Sequence, residues 1–242
     1  ERTIHDNLID IKEDGSYRLD LSYFNYCTDL RMTNDRFHDL FGGPPRDAKE
    51  AIRQHHMDLA RSLQAVLEDA VLGLCRRAHE KTGADNLCLA GGVALNCVAN
   101  GRILREGIFR DIWIQPAAGD AGGAIGAALA VWHGDLDKER EVDSKHDAMQ
   151  GAYLGPEFSP DQIRAYLDAN GCAYRELSDD DWAPTLAKLI SEEKVLGLFQ
   201  GRMEFGPRSL GNRSIVADAR SPKMQSVLNQ KIKFRESFRP FA

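Results

Sequence analysis

Residues 86–132 constrain this chain more than any other stretch. They read NLCLAGGVALNCVANGRILREGIFRDIWIQPAAGDAGGAIGAALAVW. Leu87-Cys88-Leu89-Ala90 is a short apolar run that stops at Gly91-Gly92, the pattern of a buried strand ending in a turn. Residues 93–105 have helical apolar spacing, residues 112–114 read as a second short strand, 116–120 as a loop and 121–131 as a helix rich in Ala and Gly. Two helix N-termini are therefore expected to emerge from the ends of neighbouring strands. Such termini offer unpaired backbone N–H groups and the positive end of the helix dipole, which suit phosphate. Glycine at these turns lets a ligand approach the backbone, which makes Gly91, Gly92, Gly122 and Gly123 candidate contacts, with Asn96 beside them. Asp120, at the second turn, is placed either to cap the helix or to hold a cation. Either turn taken alone fits plain α/β packing equally well.

The flanking elements support a layered α/β fold. Residues 4–10 finish a helix or a strand. Asp14-Gly15 is a turn signal and residues 17–23 alternate as a strand would, so a hairpin is expected there. Residues 33–41 read as a short helix capped by Thr33 and stopped by Gly42-Gly43-Pro44-Pro45. The longest helix should start at Asp47, with Glu50 three positions later as in a capping box, and end at Gly83, a natural C-terminal cap. Within it Ile52, Leu59, Leu63, Val66, Leu67, Ala70, Val71 and Leu74 make a wide apolar stripe, that of a core helix lying across a sheet. His55 and His56 are adjacent and do not share a helix face, so a helix-edge role is expected in place of a metal pair. Residues 134–146 are charged and read as a linker between two domains, 1–145 and 146–242. In the second, Ser159 caps a helix with Pro160 in its first turn. Residues 174–177 form a short strand, 182–193 a helix and 195–199 a buried strand, again an α/β alternation.

After that strand comes QGRMEFGPRSLGNRSIVADARS. Residues 200–242 hold nine Lys and Arg against three acids, a net of +6 in a chain whose total is −6. A basic segment on an acidic protein points to a local anion site more than to a nucleic-acid surface. Arg202, Arg208 and Arg213 sit among Gly201, Gly206 and Gly211. Guanidinium groups fork onto phosphate or carboxylate oxygens, and the glycines let the loop close around a small ligand. Asn212 and Ser214 add neutral donors, and Lys233 and Arg235 further positive charge. The competing reading is a solvated loop with surface pairs between Arg and Glu204.

A chain of 242 residues holds one large domain or two small ones. No apolar run approaches the roughly 20 residues that span a bilayer. Residues 1–13 are polar and acidic, so no signal peptide is expected. The missing initial Met points to a piece of a longer chain. Cys27, Cys75, Cys88, Cys97 and Cys172 are scattered, and are expected to be buried free thiols of a reducing cytoplasm.

LAGGVALNCVANG followed by PAAGDAGGAIGAAL resembles the carbamoyltransferase family that includes nodulation-factor and antibiotic O-carbamoyltransferases. The second stretch resembles that family's GRxEFGPRALGNRSI-type motif. It matches at Gly201, Arg202, Glu204 to Arg208 and Leu210 to Ser214, with Ser209 where Ala is usual. The likeness runs from the LDLSYF region to the RPFA end. It implies a core domain of the actin, sugar-kinase and Hsp70 ATPase superfamily, similar to that of tRNA threonylcarbamoyl transferases, followed by a YrdC-like domain. It implies two steps: carbamoyl phosphate and ATP give carbamoyl-adenylate and pyrophosphate in the YrdC-like domain, then the carbamoyl group passes to the hydroxyl of a small molecule or sugar in the kinase-like domain. On this likeness Gly91, Gly92 and Asn96 would contact the nucleoside and Gly122 and Gly123 the phosphate. Arg202, Arg208 and Arg213 would neutralise developing negative charge. Ser214, Lys233 and Arg235 would join those arginines in holding carbamoyl phosphate. Asp120 would ligate a divalent metal, iron, with Mg accompanying ATP.

In the family two histidines four apart help hold that metal, and a GEGKxMGLAxYG-type stretch lies upstream. Neither occurs in these 242 residues, so the piece is expected to lack a complete site. Neither a nucleic-acid nor a membrane partner is expected. The alternatives on the same core are a sugar-kinase-like phosphotransferase and a non-enzymatic ATP-binding module.

Overall fold

The computed structural model describes residues 1–47, 50–143 and 145–241. Ala48 and Lys49, in the expected first turn of the long helix, lie outside the described residues. So do Ser144 in the charged run and Ala242 of the RPFA end. Helix and sheet are mixed, and the strands pair into three two-stranded sheets. The chain divides into two compact units, Glu1–Gln115 and Pro116–Ala242.

The first unit opens with helix α1 (Arg2–Asn7) and the expected hairpin, β1 (Ile9–Ile11) against β2 (Tyr17–Leu19), antiparallel with Ile11 opposite Tyr17. The second strand stops at Leu19, because the Asp20 side chain caps a short 3₁₀ turn, Leu21–Tyr23. Helix α2 (Asp35–Phe41) is capped one residue later than expected. The Asn34 side chain, not Thr33, accepts from the backbone N–H of Phe37, and Gly42 closes the helix in a left-handed conformation. Thr33 instead pairs its hydroxyl with His38 at 3.1 Å.

The long helix α3 is Gln54–Thr82, closed by Gly83 as expected. Its start differs. Asp47 does not cap it; His56 Nδ1 accepts from the backbone N–H of Arg53 at 3.0 Å instead, satisfying a group the helix leaves free. The buried face also differs from the expected stripe. Val66 and Ala70 are buried, but so are Leu72 and Cys75, while Ile52, Leu63 and Leu74 are exposed. Apolar residues surround much of this helix, so sequence spacing alone leaves the inward face open. Packing chooses it: Leu72 and Cys75 meet Ile103 and Phe109, flanked by Leu87, Leu89 and Ile112.

Leu87 and Leu89 belong to β3 (Asn86–Leu89) and Ile112 to β4 (Asp111–Ile114), which pair in parallel with Leu87 opposite Ile112. Helix α4 (Cys97–Glu106) makes the crossover, as a parallel pair requires. It starts later than residue 93, because Gly92–Leu95 winds as a 3₁₀ turn first.

The second unit holds helix α5 (Asp120–Ala130), which runs on into a π-turn, Val131–Asp135. Every described residue from 134 to 146 is exposed. If the domain boundary lies in this run, limited proteolysis of the full-length protein should cut there first. First cleavage within residues 86–132, with residues 134–146 protected, would place the boundary elsewhere.

Helix α6 (Pro160–Ala169) starts as expected: Ser159 Oγ accepts from Gln162 N, and Gln162 Oε1 accepts from Ser159 N at 2.8 Å. Residues 174–177 are not a strand. Their side chains bond back to α6, with Tyr174 donating to Asp168 at 3.0 Å and Glu176 accepting from Arg164 at 2.5 Å, and among the described residues no neighbouring strand supplies a ladder. Helix α7 is Asp179–Ser191, capped by Ser178. Strand β5 (Leu196–Phe199) pairs antiparallel with β6 (Arg213–Val216), so the arginine- and glycine-rich stretch is the loop of a long hairpin. A short helix α8 (Met224–Val227) follows. Of the five cysteines only Cys75 is buried; Cys27, Cys88, Cys97 and Cys172 are exposed, against the expectation of buried thiols.

Candidate functional site

At the end of β3 the chain turns at Gly91, with φ +98° and ψ 162°. A side chain would be strained there, so glycine is required by the backbone itself. Gly92 starts the 3₁₀ turn and Asn96 follows it. The Asn96 side chain caps α4, its Oδ1 accepting from Ala99 N at 3.1 Å. Gly91, Gly92 and Asn96 therefore lie together on one strand–turn–helix connection.

At α5 the N-cap is Gly119, which has no side chain to cap with, and Asp120 is the first helical residue. Of the two roles open to Asp120, the structure leaves the capping one unused. Its side chain is exposed and meets no hydrogen-bond or ion-pair partner among the described residues. Gly122 has a packing reason of its own: a Cβ there would sit 2.1 Å from the carbonyl oxygen of Ala117. Gly123 is exposed with open space around it. Among the described residues no group of three or more His, Cys, Asp or Glu side chains gathers as a metal site.

The β5–β6 loop is built around Glu204, which is buried. Its Oε1 accepts three backbone N–H groups, from Leu210 at 2.7 Å, Asn212 at 2.8 Å and Arg213 at 3.3 Å. Burial alone would push this carboxyl up. The backbone donors outweigh it and hold Glu204 at about 2. Glu204 is thus not the partner of a surface arginine; it is the anion around which the loop folds.

Arg213 performs the complementary task. Its guanidinium donates to the carbonyl oxygens of Gln200 at 2.7 Å, Asn212 at 3.0 Å, and Gly201 and Pro156 at 3.3 Å. It also stacks on the Phe199 ring, 3.6 Å from the centroid. Asn212 donates to Arg202 O at 2.7 Å, and Ser214 Oγ accepts from Gly211 N at 3.0 Å. On the outer side, Gly155 N donates to Met203 O at 2.9 Å and Phe205 N to Ala152 O at 2.6 Å.

The other two arginines differ. Arg202 donates to Gly155 O at 3.1 Å and lies 3.8 Å from Glu157. Arg208 is exposed, with no hydrogen-bond or ion-pair partner among the described residues. The loop therefore joins Arg202, Asn212, Arg213 and Ser214 in one network and leaves Arg208 free on it. Lys233 is exposed on the segment after α8. Arg235 donates to Asn229 Oδ1 at 2.6 Å and lies over Phe241, 4.8 Å from its centroid. Asn229 is fully buried and also donates to Ser237 O and Arg239 O.

Sequence reasoning missed three polar residues that organise these regions. Glu204 was signalled only by being a lone acid in the loop. Asn229 and Gln64, which meets Asn96, gave no signal, because their partners are distant in sequence or are backbone atoms.

Comparison with known proteins adds the family. A model described as the carbamoyltransferase N-terminus matches residues 1–129, and one described as the carbamoyltransferase C-terminus matches residues 187–242. An uncharacterised protein of Synechocystis is 58% identical over 99% of this chain and 39% of its own length. Nodulation protein NolNO of Sinorhizobium fredii is 45% identical over 78% of this chain and 27% of its own. Nodulation protein NolO of Bradyrhizobium diazoefficiens is 42% identical over 78% and 34%. The chain thus spans well under half the length of these relatives, and on two matched family models and these identities it belongs to the carbamoyltransferase family.

Proposed function

We propose that the full-length protein is an ATP-dependent O-carbamoyltransferase working in two stages. In the first, water releases carbamate and phosphate from carbamoyl phosphate. A carbamate oxygen then attacks the α-phosphorus of ATP, giving carbamoyl-adenylate and pyrophosphate. In the second, an acceptor hydroxyl attacks the carbamoyl carbon, AMP leaves, and the hydroxyl proton passes to solvent or a base. We assign the first stage to a YrdC-like domain containing the β5–β6 loop. The second belongs to a domain of the actin and sugar-kinase superfamily containing the Gly91–Gly92 turn.

The observation that carries this reading is the division of labour in the β5–β6 loop. Glu204 and Arg213 are spent on backbone groups, so the loop holds its shape without a ligand, while Arg208 keeps all its guanidinium donors for one. A loop already held in shape presents Arg208 to an oxyanion without having to be ordered on binding. A sugar-kinase-like phosphotransferase has no use for this second loop.

Asp120 is this chain's candidate metal ligand. Its carboxylate is uncommitted, which fits a ligand, and one carboxylate does not hold a cation alone, so the histidine pair of the resemblance would complete the set. Such a cation, when bound, would polarise the carbamoyl carbonyl. Asp120 would orient it, and the Gly122–Gly123 backbone would face the departing phosphate.

Carbamoyl-phosphate-dependent exchange of pyrophosphate into ATP tests the first stage, and its absence in the full-length protein would overturn the reading. Asp120→Ala should keep that exchange while losing bound metal and carbamoyl transfer. Unchanged metal stoichiometry by elemental analysis would remove Asp120 from the site.

A further inference from the structure

Between α3 and the start of α4 runs a row of side chains whose polarity is set from both ends. At one end the backbone N–H of Ala99 donates to Asn96 Oδ1 at 3.1 Å. At the other Glu68, buried, accepts from Gln64 Nε2 at 2.9 Å and from Arg102 at 3.3 Å. A backbone N–H only donates and a carboxylate only accepts. Both amides in between are therefore oriented: Asn96 Nδ2 donates to Gln64 Oε1 at 2.8 Å, and Gln64 Nε2 reaches Asn96 Oδ1 at 3.2 Å.

Three of the four hydrogen-bonding positions of the Asn96 amide are filled. Both lone pairs of Oδ1 are taken, by Ala99 and Gln64. One proton of Nδ2 is taken by Gln64. The second Nδ2 proton has no acceptor among the described residues, and the side chain is only half-buried.

We propose that Gln64 is a positioning residue that locks the Asn96 amide as a single N–H donor, so that a nucleoside bound at the Gly91–Gly92 turn must meet Asn96 with a hydrogen-bond acceptor, a ribose oxygen or an unprotonated ring nitrogen. This rests on the reading that a nucleotide binds at that turn. A freely rotating asparagine would present donor or acceptor equally and would discriminate between neither. The lock excludes groups that only donate, such as an exocyclic amine, and removes the need to order the amide on binding.

The test is calorimetric titration of AMP into the full-length protein, reading the binding component that Asn96→Ala weakens. Asn96→Ala should weaken it about tenfold, the size of one neutral hydrogen bond with its geometry lost. Asn96→Asp still accepts from Ala99 and Gln64 but cannot donate, and should lose at least as much. Gln64→Leu should weaken the same component roughly threefold to tenfold, and should add nothing in the Asn96→Ala background. A purely structural Gln64 would add its effect to that of Asn96→Ala, and additivity overturns the proposal. So does native AMP affinity in Gln64→Leu or in Asn96→Asp when Asn96→Ala is weakened. Native affinity in Asn96→Ala instead overturns the nucleotide reading of the turn on which the proposal stands. If Gln64→Leu does not fold, Gln64→Met keeps length and volume, loses all three side-chain hydrogen bonds and is read the same way.

Discussion

Arg208→Lys in the full-length protein is expected to slow carbamoyl-phosphate-dependent pyrophosphate exchange by about tenfold to a few hundredfold, through loss of one or two charged hydrogen bonds of roughly 1.5–3 kcal/mol each. Lysine keeps the charge but not the fork. Transfer from supplied carbamoyl-adenylate should stay near native, and so should the urea midpoint, because Arg208 holds no other described residue in place. Arg213 supplies the internal control. Its guanidinium reaches the carbonyls of Gln200, Gly201, Asn212 and Pro156 and stacks on Phe199. An ammonium cannot span that set, so Arg213→Lys should lower the urea midpoint as well as the exchange rate. Two arginines five positions apart in one motif are thereby separated by stability, not by activity. Near-native exchange in Arg208→Lys would remove Arg208 from the phosphate site. A lowered midpoint in that variant would show that Arg208 has a structural duty too.

What the sequence made legible follows the range of the forces involved. Most elements set by neighbours in sequence were found, although the N-caps of α2 and α3 were misplaced. Ser159 with Gln162, Gly83 after α3, the β1–β2 hairpin and the β3–α4–β4 crossover all rest on contacts within one turn, one cap or one short connection. Elements set by distant partners were not. The inward face of α3 needed Ile103 and Phe109 to choose it. Residues 174–177 have strand-like composition, but α6 offers their side chains hydrogen bonds and no described strand offers a ladder. Strand β6 was hidden inside a motif whose glycines and arginines read as loop throughout.

The candidate site divides the same way. Position in the motif marked Arg202, Arg208 and Arg213 alike, because all three are the same residue among the same glycines. Only the folded structure separates them, since the acceptors of Arg213 are backbone carbonyls with no signature in composition. Asn96 was recognisable beside a Gly-Gly turn. Gln64, 32 positions earlier on a helix, was not, since a glutamine in mid-helix is ordinary.

Glu204→Gln is expected to destabilise the second unit by about 1–3 kcal/mol at neutral pH, the cost of weakening hydrogen bonds to a charged acceptor inside the fold. Glutamine is isosteric and can still accept with Oε1, so the loop should keep its course. What it loses is the charge that three backbone N–H groups face, and its amide must point two donors into that buried position. The pH dependence sets this apart from a general loss of packing. With Glu204 held at about 2 in the fold against 4.5 as its ordinary value, the unfolded chain binds the extra proton first. Glu204 therefore contributes its full stability above about pH 4.5, and that contribution falls as pH drops towards 2. In Glu204→Gln this part of the acid limb should vanish, so the two proteins, well separated in urea midpoint at pH 7, should converge near pH 2–3. A constant gap across that range would mean that the Glu204 carboxyl is not held ionised by the loop. Because the same loop carries Arg208, the exchange reaction should fall in Glu204→Gln as well, while Asp120-dependent metal content stays unchanged.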